Sequence, residues 1–162
     1  MFLIHKIRMT LKRWKQLIYY KLVYGKKIMF GKNFRSRGNF NLFIEKKGNI
    51  IFKNNVFINN NFSASAQKSI KIGNNCIIGE NVKIYDQNHV FKDKDRLIKD
   101  QGFNVKSVVI EDNCWIGSNV TILSGVTIGK NTIIGANCLI YRDIPDNSIV
   151  KLQQKLSVEE RL

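Results

Sequence analysis

The stretch from Ile110 to Ile140, IEDNCWIGSNVTILSGVTIGKNTIIGANCLI, carries isoleucine at every sixth position: Ile110, Ile116, Ile122, Ile128, Ile134 and Ile140. Four residues after each stand Cys114, Val120, Val126, Thr132, Cys138 and Ile144, a second ladder of small or β-branched side chains. Gly117, Gly129 and Gly135 directly follow three of the isoleucines. A period of six is neither the 3.6 of a helix nor the alternation of a long strand. It predicts a triangular solenoid built from repeats: each six-residue unit is a short strand plus a corner, and three units close one coil. Isoleucine fills the inside of each corner.

The same step runs upstream through Ile72, Ile78 and Ile84, with Cys76 and Val82 on the second ladder, and more weakly through Phe52, Ile58 and Ala64. These sets read as four coils with a two-residue slip before Ile72. At a strand spacing of roughly 4.8 Å, four to five coils make a prism on the order of 20–24 Å tall. Each buried isoleucine contributes about 1.5–3 kcal/mol by transfer, so the ladder can carry the fold. All three cysteines fall on the inward ladder, where cysteine acts as a compact hydrophobe. Their odd number and the lack of CxxC spacing suggest neither a disulfide framework nor a metal site.

The register fails after Ile84, because its continuation would put Val90, Arg96 and Gly102 inside. Tyr85–Lys106 is therefore a polar excursion from the solenoid, rooted at Ile84-Tyr-Asp-Gln-Asn-His89. Histidine suits proton abstraction from a hydroxyl near neutral pH, which makes His89 the candidate general base. Asp86, three residues before it, is the candidate to hold its tautomer. The other histidine, His5, lies in the N-terminal segment.

In that segment Ile4, Ile7, Leu11, Trp14, Ile18 and Leu22 recur at steps of three and four, the spacing of one helical face, and Gly25 supplies a stop. No acidic residue precedes Glu45, so the rest of this helix is purely basic. Two placements are open: the helix lies on a membrane surface, or it packs on its own domain or a neighbouring subunit. Lys6, Arg8, Lys12, Arg13, Lys15 and Lys21 interrupt the apolar run, so a membrane span is not expected, nor is a secretory signal. A cytoplasmic protein is the expectation. The division is 1–30 for the basic segment, 31–150 for the solenoid with its excursion at 85–106, and 151–162 for a tail. With 162 residues and 44% hydrophobic content the chain holds one domain. Its charge of +15 favours an anionic partner such as a membrane surface or a phosphorylated cofactor. Nucleic acid is disfavoured, because no recognition motif or aromatic-basic platform accompanies the charge.

From about Phe52 to Ser148 the chain resembles the hexapeptide-repeat acyltransferase superfamily, built on [Ile/Leu/Val]-Gly-x-x-[small]-x. The resemblance implies an all-β fold, a left-handed parallel β-helix, here with an N-terminal amphipathic helix. The left hand comes from the resemblance alone, since ordinary parallel crossovers are right-handed. Trp115-Ile-Gly-Ser118, Gly125-Val-Thr-Ile-Gly129, Ile134-Gly-Ala136 and Asp143-Ile-Pro145 are similar to stretches of galactoside, maltose and polysaccharide O-acetyltransferases. The likeness implies acetyl-CoA as acyl donor, a sugar or glycan hydroxyl as acceptor, and a homotrimer with sites between neighbouring β-helices. It implies an oxyanion donor in the backbone N–H of Ser118, and contacts to the cofactor from Trp115, Gly117, Gly135, Ala136, Tyr141 and Arg142. Trp115 either lines the site or caps the solenoid edge. Arg142, where relatives carry lysine, either meets a CoA phosphate or is solvated.

Two departures stand out. Ser148-Ile-Val-Lys-Leu-Gln-Gln-Lys155 replaces the family's Gly-x-Pro-Ala, and Tyr141 replaces a frequent threonine. The absence of a Gly-x-Ser-x-Gly elbow points to direct transfer rather than a covalent enzyme intermediate. The competing readings are N-acetylation of an amino sugar and a noncatalytic trimeric scaffold at a membrane.

Overall fold

A computed structural model describes residues 2–45 and 47–153, with side chains from Thr10 onward. One helix, α1 (Phe2–Tyr24), precedes a β-solenoid that winds as the expected left-handed parallel β-helix. Ile4, Ile7 and His5 have side chains outside the described residues, as does the tail from 154 onward. No helix among the described residues is long and apolar enough to cross a membrane.

Three parallel sheets form the faces of the prism. The first stacks Ile28–Phe30, Ile50–Phe52, Ile70–Ile72, Val108–Ile110 and Thr127–Ile128. The second begins at Arg35–Ser36 and ends at Ile149–Val150, and the third runs from Phe40–Ile44 to Leu139–Ile140. The hexads stack in register: Ile110 pairs with Ile72 and Ile128, Ile116 with Ile78 and Ile134, Ile122 with Ile84 and Ile140. Both ladders point inward, and every isoleucine from Ile72 to Ile140 on the sixfold step is buried.

The structure adds a coil before the four read from the hexads. Phe30, Ser36 and Leu42 occupy the sixfold positions of this first coil, and strand pairing to Phe52, Ile58 and Ala64 fixes them there. Their signal is weak because the base of the core is aromatic rather than isoleucine. Phe30 stacks on Phe52 at 5.5 Å between ring centroids, and Phe34 and Phe62 close around it. The first strand starts at Ile28, so the solenoid begins before residue 31.

The first coil would leave a bare sheet edge, and α1 covers it. Gln16 Nε2 and Tyr20 Oη donate to the Phe40 carbonyl, Tyr24 Oη to that of Leu42 and Lys21 Nζ to that of Ile28. Side chains thus satisfy backbone groups that no further strand reaches. Tyr20 is central: its hydroxyl also accepts from Leu42 N–H at 3.2 Å, and burial pushes its pKa up.

The corners rest on asparagine. Among the described residues the non-glycine residues at positive φ are all asparagines, from Asn33 to Asn147, with φ of 55–62°. Asparagine tolerates this left-handed region better than other residues with a Cβ. Stacked side chains also bond in columns. Asn81 donates to Asn119 (3.1 Å) and Asn119 to Asn137 (3.0 Å); along another edge Asn113 donates to Asn131 and Asn131 to Asn147. Where the step calls for a corner at 125, Gly125 takes it with φ +88°.

Asn119→Ala keeps a Cβ in the left-handed region and loses both column bonds, so unfolding free energy should fall by about 1–2 kcal/mol. Asn119→Gly should lose less, since glycine adopts this φ freely. Denaturation midpoints of the two variants against wild type check the ranking; equal losses would remove the conformational argument.

Candidate functional site

His89 sits on the excursion, in a short antiparallel pair of Gln87–His89 with Phe103–Val105. The hairpin is rooted where Lys106 N–H and Ser124 Oγ both donate to the Asp86 carbonyl, at 2.9 and 2.8 Å. His89 pairs directly with Phe103, whose ring centroid lies 4.3 Å from the imidazole. The imidazole is exposed, and its nitrogens hydrogen-bond to no other described residue. Phe103 is the contact that sequence reading missed; only the hairpin register could have pointed to it.

The assignment of Asp86 to the imidazole is corrected by the geometry. Its carboxylate is fully buried and accepts from the backbone N–H groups of Gln67 (2.8 Å), Lys68 (2.7 Å) and Ser69 (2.8 Å). Asp86 therefore clamps the turn of the neighbouring coil, and none of its hydrogen bonds reaches His89. A buried carboxylate needs such donors, and three amides in one turn satisfy it.

A second element lies on another face. Trp115, Gly117, Ser118, Gly135 and Ala136 line one groove of about 470 Å³ on the second face, beside Gly79 and Lys151. Gly79, Gly117 and Gly135 stack along its edge, closely enough that a Cβ on Gly117 would stand 2.7 Å from Ala136 N and 2.9 Å from Gly135 C. The glycines let successive coils bring their backbone to the groove wall.

The Ser118 amide in this wall has no acceptor among the described residues. At equivalent corners the next coil supplies an oxygen: Asn74 Oδ1 accepts from Asn54 N–H, Asp112 Oδ1 from Asn74 N–H and Asp146 Oδ1 from Lys130 N–H. Along the groove edge Ser118 Oγ accepts from Glu80 N–H at 3.3 Å. The residue one coil beyond Ser118 is Ala136, fixed there by Asn137 N–H donating to the Ser118 carbonyl at 2.9 Å. Alanine offers no oxygen, and Ser118 N–H has no acceptor among the described residues. The small residue thus does more than make room; it leaves a backbone donor in the groove wall without a protein partner among the described residues.

Within one chain the two elements stand apart. The His89 hairpin leaves at the edge between the third and first faces, whereas the groove lies on the second face and its edge with the third. Tyr141 and Arg142, both exposed, follow the last third-face strand and so share the edge of the hairpin, not the groove. Trp115 is half exposed on the groove wall. The cysteines are buried: a hydrogen bond shared with the Cys114 thiol, and then desolvation, push the Cys76 thiol above its ordinary value. No thiol here is placed to act as a nucleophile.

Residues 107–142 match the family described as bacterial transferase hexapeptide (six repeats). The chain is 32% identical over 147 residues to WbbJ of Escherichia coli (strain K12), covering 83% of this chain and 75% of that protein. Its name assigns WbbJ provisionally to lipopolysaccharide biosynthesis as an O-acetyl transferase. Galactoside O-acetyltransferase of Lactococcus lactis (strain IL1403) is 38% identical over 101 residues; they cover 62% of this chain and 48% of that enzyme. The chain thus spans about half the length of that relative. Among solved structures, the hexapeptide-repeat acetyltransferase VCA0836 of Vibrio cholerae, complexed with acetyl-CoA, superposes with a TM-score of 0.70 at 26% identity. That match covers 90% of this chain and 79% of the other.

Ala136→Ser should place a hydroxyl over Ser118 N–H as Ser118 Oγ stands over Glu80 N–H. Hydrogen exchange of the Ser118 amide should then slow, while the melting temperature stays within a few degrees. Unchanged exchange in the folded variant would mean that the amide is already occupied.

Proposed function

Since the chain belongs to the hexapeptide-repeat acyltransferase family, we propose that it is an acetyl-CoA-dependent O-acetyltransferase acting on a sugar hydroxyl of a glycan or glycolipid precursor. The observation that carries this reading is the unpaired Ser118 N–H in the wall of a groove edged by stacked glycines. The acetyl-CoA bound to the Vibrio cholerae relative and the lipopolysaccharide and galactoside roles in the relatives' names support donor and acceptor class.

In this proposal the thioester lies along the second-face groove, with the pantetheine arm passing Gly117, Gly135 and Ala136 and flanked by Trp115. His89 takes the proton from the acceptor hydroxyl, and the oxygen attacks the thioester carbonyl carbon. Ser118 N–H donates to the oxyanion that develops there. The C–S bond then breaks, and the departing CoA thiolate takes the proton from the imidazolium, leaving an O-acetyl ester and free CoA. Direct transfer within a ternary complex needs no enzyme nucleophile, which fits the burial of all three cysteines.

The separation of hairpin and groove supports a homotrimer in which one subunit's His89 faces its neighbour's Ser118. Tyr141 and Arg142, on the hairpin edge, would then reach the neighbour's cofactor across the interface, where the Arg142 guanidinium suits a phosphate. Peripheral contact with the inner face of a membrane, where lipid-linked glycans would be met, belongs to the same proposal and is supported by the basic charge of the N-terminal helix.

His89→Ala should lower acetyl transfer by about 10²–10⁴-fold, the range of a lost general base, while calorimetry shows acetyl-CoA binding retained. Release of CoA with a panel of sugars, amino sugars and lipid-linked glycans identifies the acceptor. No acetyl-CoA binding by folded wild type would favour a noncatalytic scaffold. A mixing experiment tests the shared site: His89→Ala chains co-expressed with inactive Ala136→Trp chains should regain activity, because some interfaces pair an intact hairpin with an intact groove. A site complete within one chain would give no recovery.

A further inference from the structure

Helix α1 uses one side against the solenoid and leaves an apolar stripe on the other. At about 100° per residue, the packing residues Gln16, Leu17, Tyr20 and Tyr24 lie nearly opposite Leu11, Trp14, Ile18 and Leu22. Those four are exposed, Leu22 at 80%. The stripe borders a groove of about 850 Å³ between the helix and the first coil. Its floor includes Leu17, Phe30 and Phe34, and its rim holds three cations, Arg13, Lys21 and Arg35. Lys12 and Lys15 stand on the exposed helix surface, and the described part of α1 carries no acidic side chain.

A helix that is apolar on two sides meets two apolar phases. One is the aromatic base of the solenoid. We propose that the second is an anionic lipid bilayer: Trp14, Ile18 and Leu22 enter the acyl boundary, and Arg13 and Arg35 meet headgroup phosphates. Charge decides the occupant. The helix is uniformly basic in a chain of net charge +15, and a second copy would set two such surfaces against each other. The inference rests on the acetyl-transfer reading for its purpose, since the His89 hairpin leaves the third coil, two coils from the docked end. Two coil spacings plus one helix diameter set it on the order of 20 Å from the bilayer. A glycan held on a membrane lipid would come to the site there.

The test is co-flotation of the full chain with phosphatidylcholine vesicles, with and without phosphatidylglycerol. Wild type should float with the anionic vesicles and at least tenfold less with the neutral ones, and rising salt should release it. The Ile18→Glu/Leu22→Glu double variant, checked for wild-type melting, should lose at least tenfold in flotation, while Ile18→Leu keeps it. Acetyl transfer to a free sugar should be unchanged in the double variant. Folded wild type that ignores anionic vesicles, or a double variant that floats as well as wild type, overturns the docking surface. So does a drop in oligomer size of the double variant with no vesicle binding by wild type, which would seat another copy on the stripe. Because flotation is read without acetyl-CoA, failure of the transfer reading leaves the vesicle result standing, and the reverse also holds.

Discussion

Every coil must turn three corners within a strand spacing of its neighbours, and the backbone at each corner decides whether the next strand can stack. The left-handed residue is where that constraint bites. Asparagine meets it at positions from Asn33 to Asn147, and the inward residues three positions before and three positions after the corner, most often isoleucine, fill the space the turn encloses. The two devices are coupled: an asparagine column holds its spacing only if the core side chains below it are of equal size. Where the core changes to phenylalanine at the base, the strands of the third face lengthen to five residues, Phe40–Ile44 and Phe62–Ala66. Ser36, small where the next coils carry isoleucine, is buried at this base and its hydroxyl has no hydrogen-bond partner among the described residues.

The hexads exposed the solenoid because isoleucine at a fixed step is a property of single residues. So was the excursion, visible as the failure of that step at Val90, Arg96 and Gly102. Asparagine at the corners was equally legible, at 113, 119, 131 and 137 three residues after isoleucine, but its meaning depends on backbone conformation rather than hydropathy. The first coil was hidden because Phe30, Ser36 and Leu42 keep the step while breaking the residue type. Asp86 was misread for a different reason. Nearness in sequence put it beside His89, whereas the turn at Gln67–Ser69, one coil back, offered three amides that a buried carboxylate requires. Sequence distance says little about partners in a solenoid, where the nearest neighbour in space is about one coil away along the chain.

The same geometry governs where chemistry can be assembled. A prism with flat faces has no interior cavity, so reactive groups sit on edges and faces, and groups on different edges of one chain cannot converge. If His89 and Ser118 N–H act as proposed, the hairpin and the groove wall are half-sites that meet only across a subunit interface. Pre-organisation differs between them. The Ser118 amide is held by stacked coils, as the proposed role of oxyanion donor requires. His89 is carried by a two-strand hairpin and contacts the Phe103 ring, and no described residue hydrogen-bonds its imidazole to set which nitrogen bears the proton.

The open edge of the first coil explains the helix. The strand Ile149–Val150 pairs with Ile133–Ile134 of the coil before it, while at the first coil four side chains of α1 take up carbonyls that no strand reaches. A cap made this way needs polar groups at the tips of large side chains, so the packing face of α1 is tyrosine and glutamine as much as leucine. The aliphatic stripe is then free to lie elsewhere on the helix. In an ordinary amphipathic helix the most apolar face is the one that packs; here the demand of an open sheet edge for hydrogen-bond donors reverses that order and turns the apolar face outward.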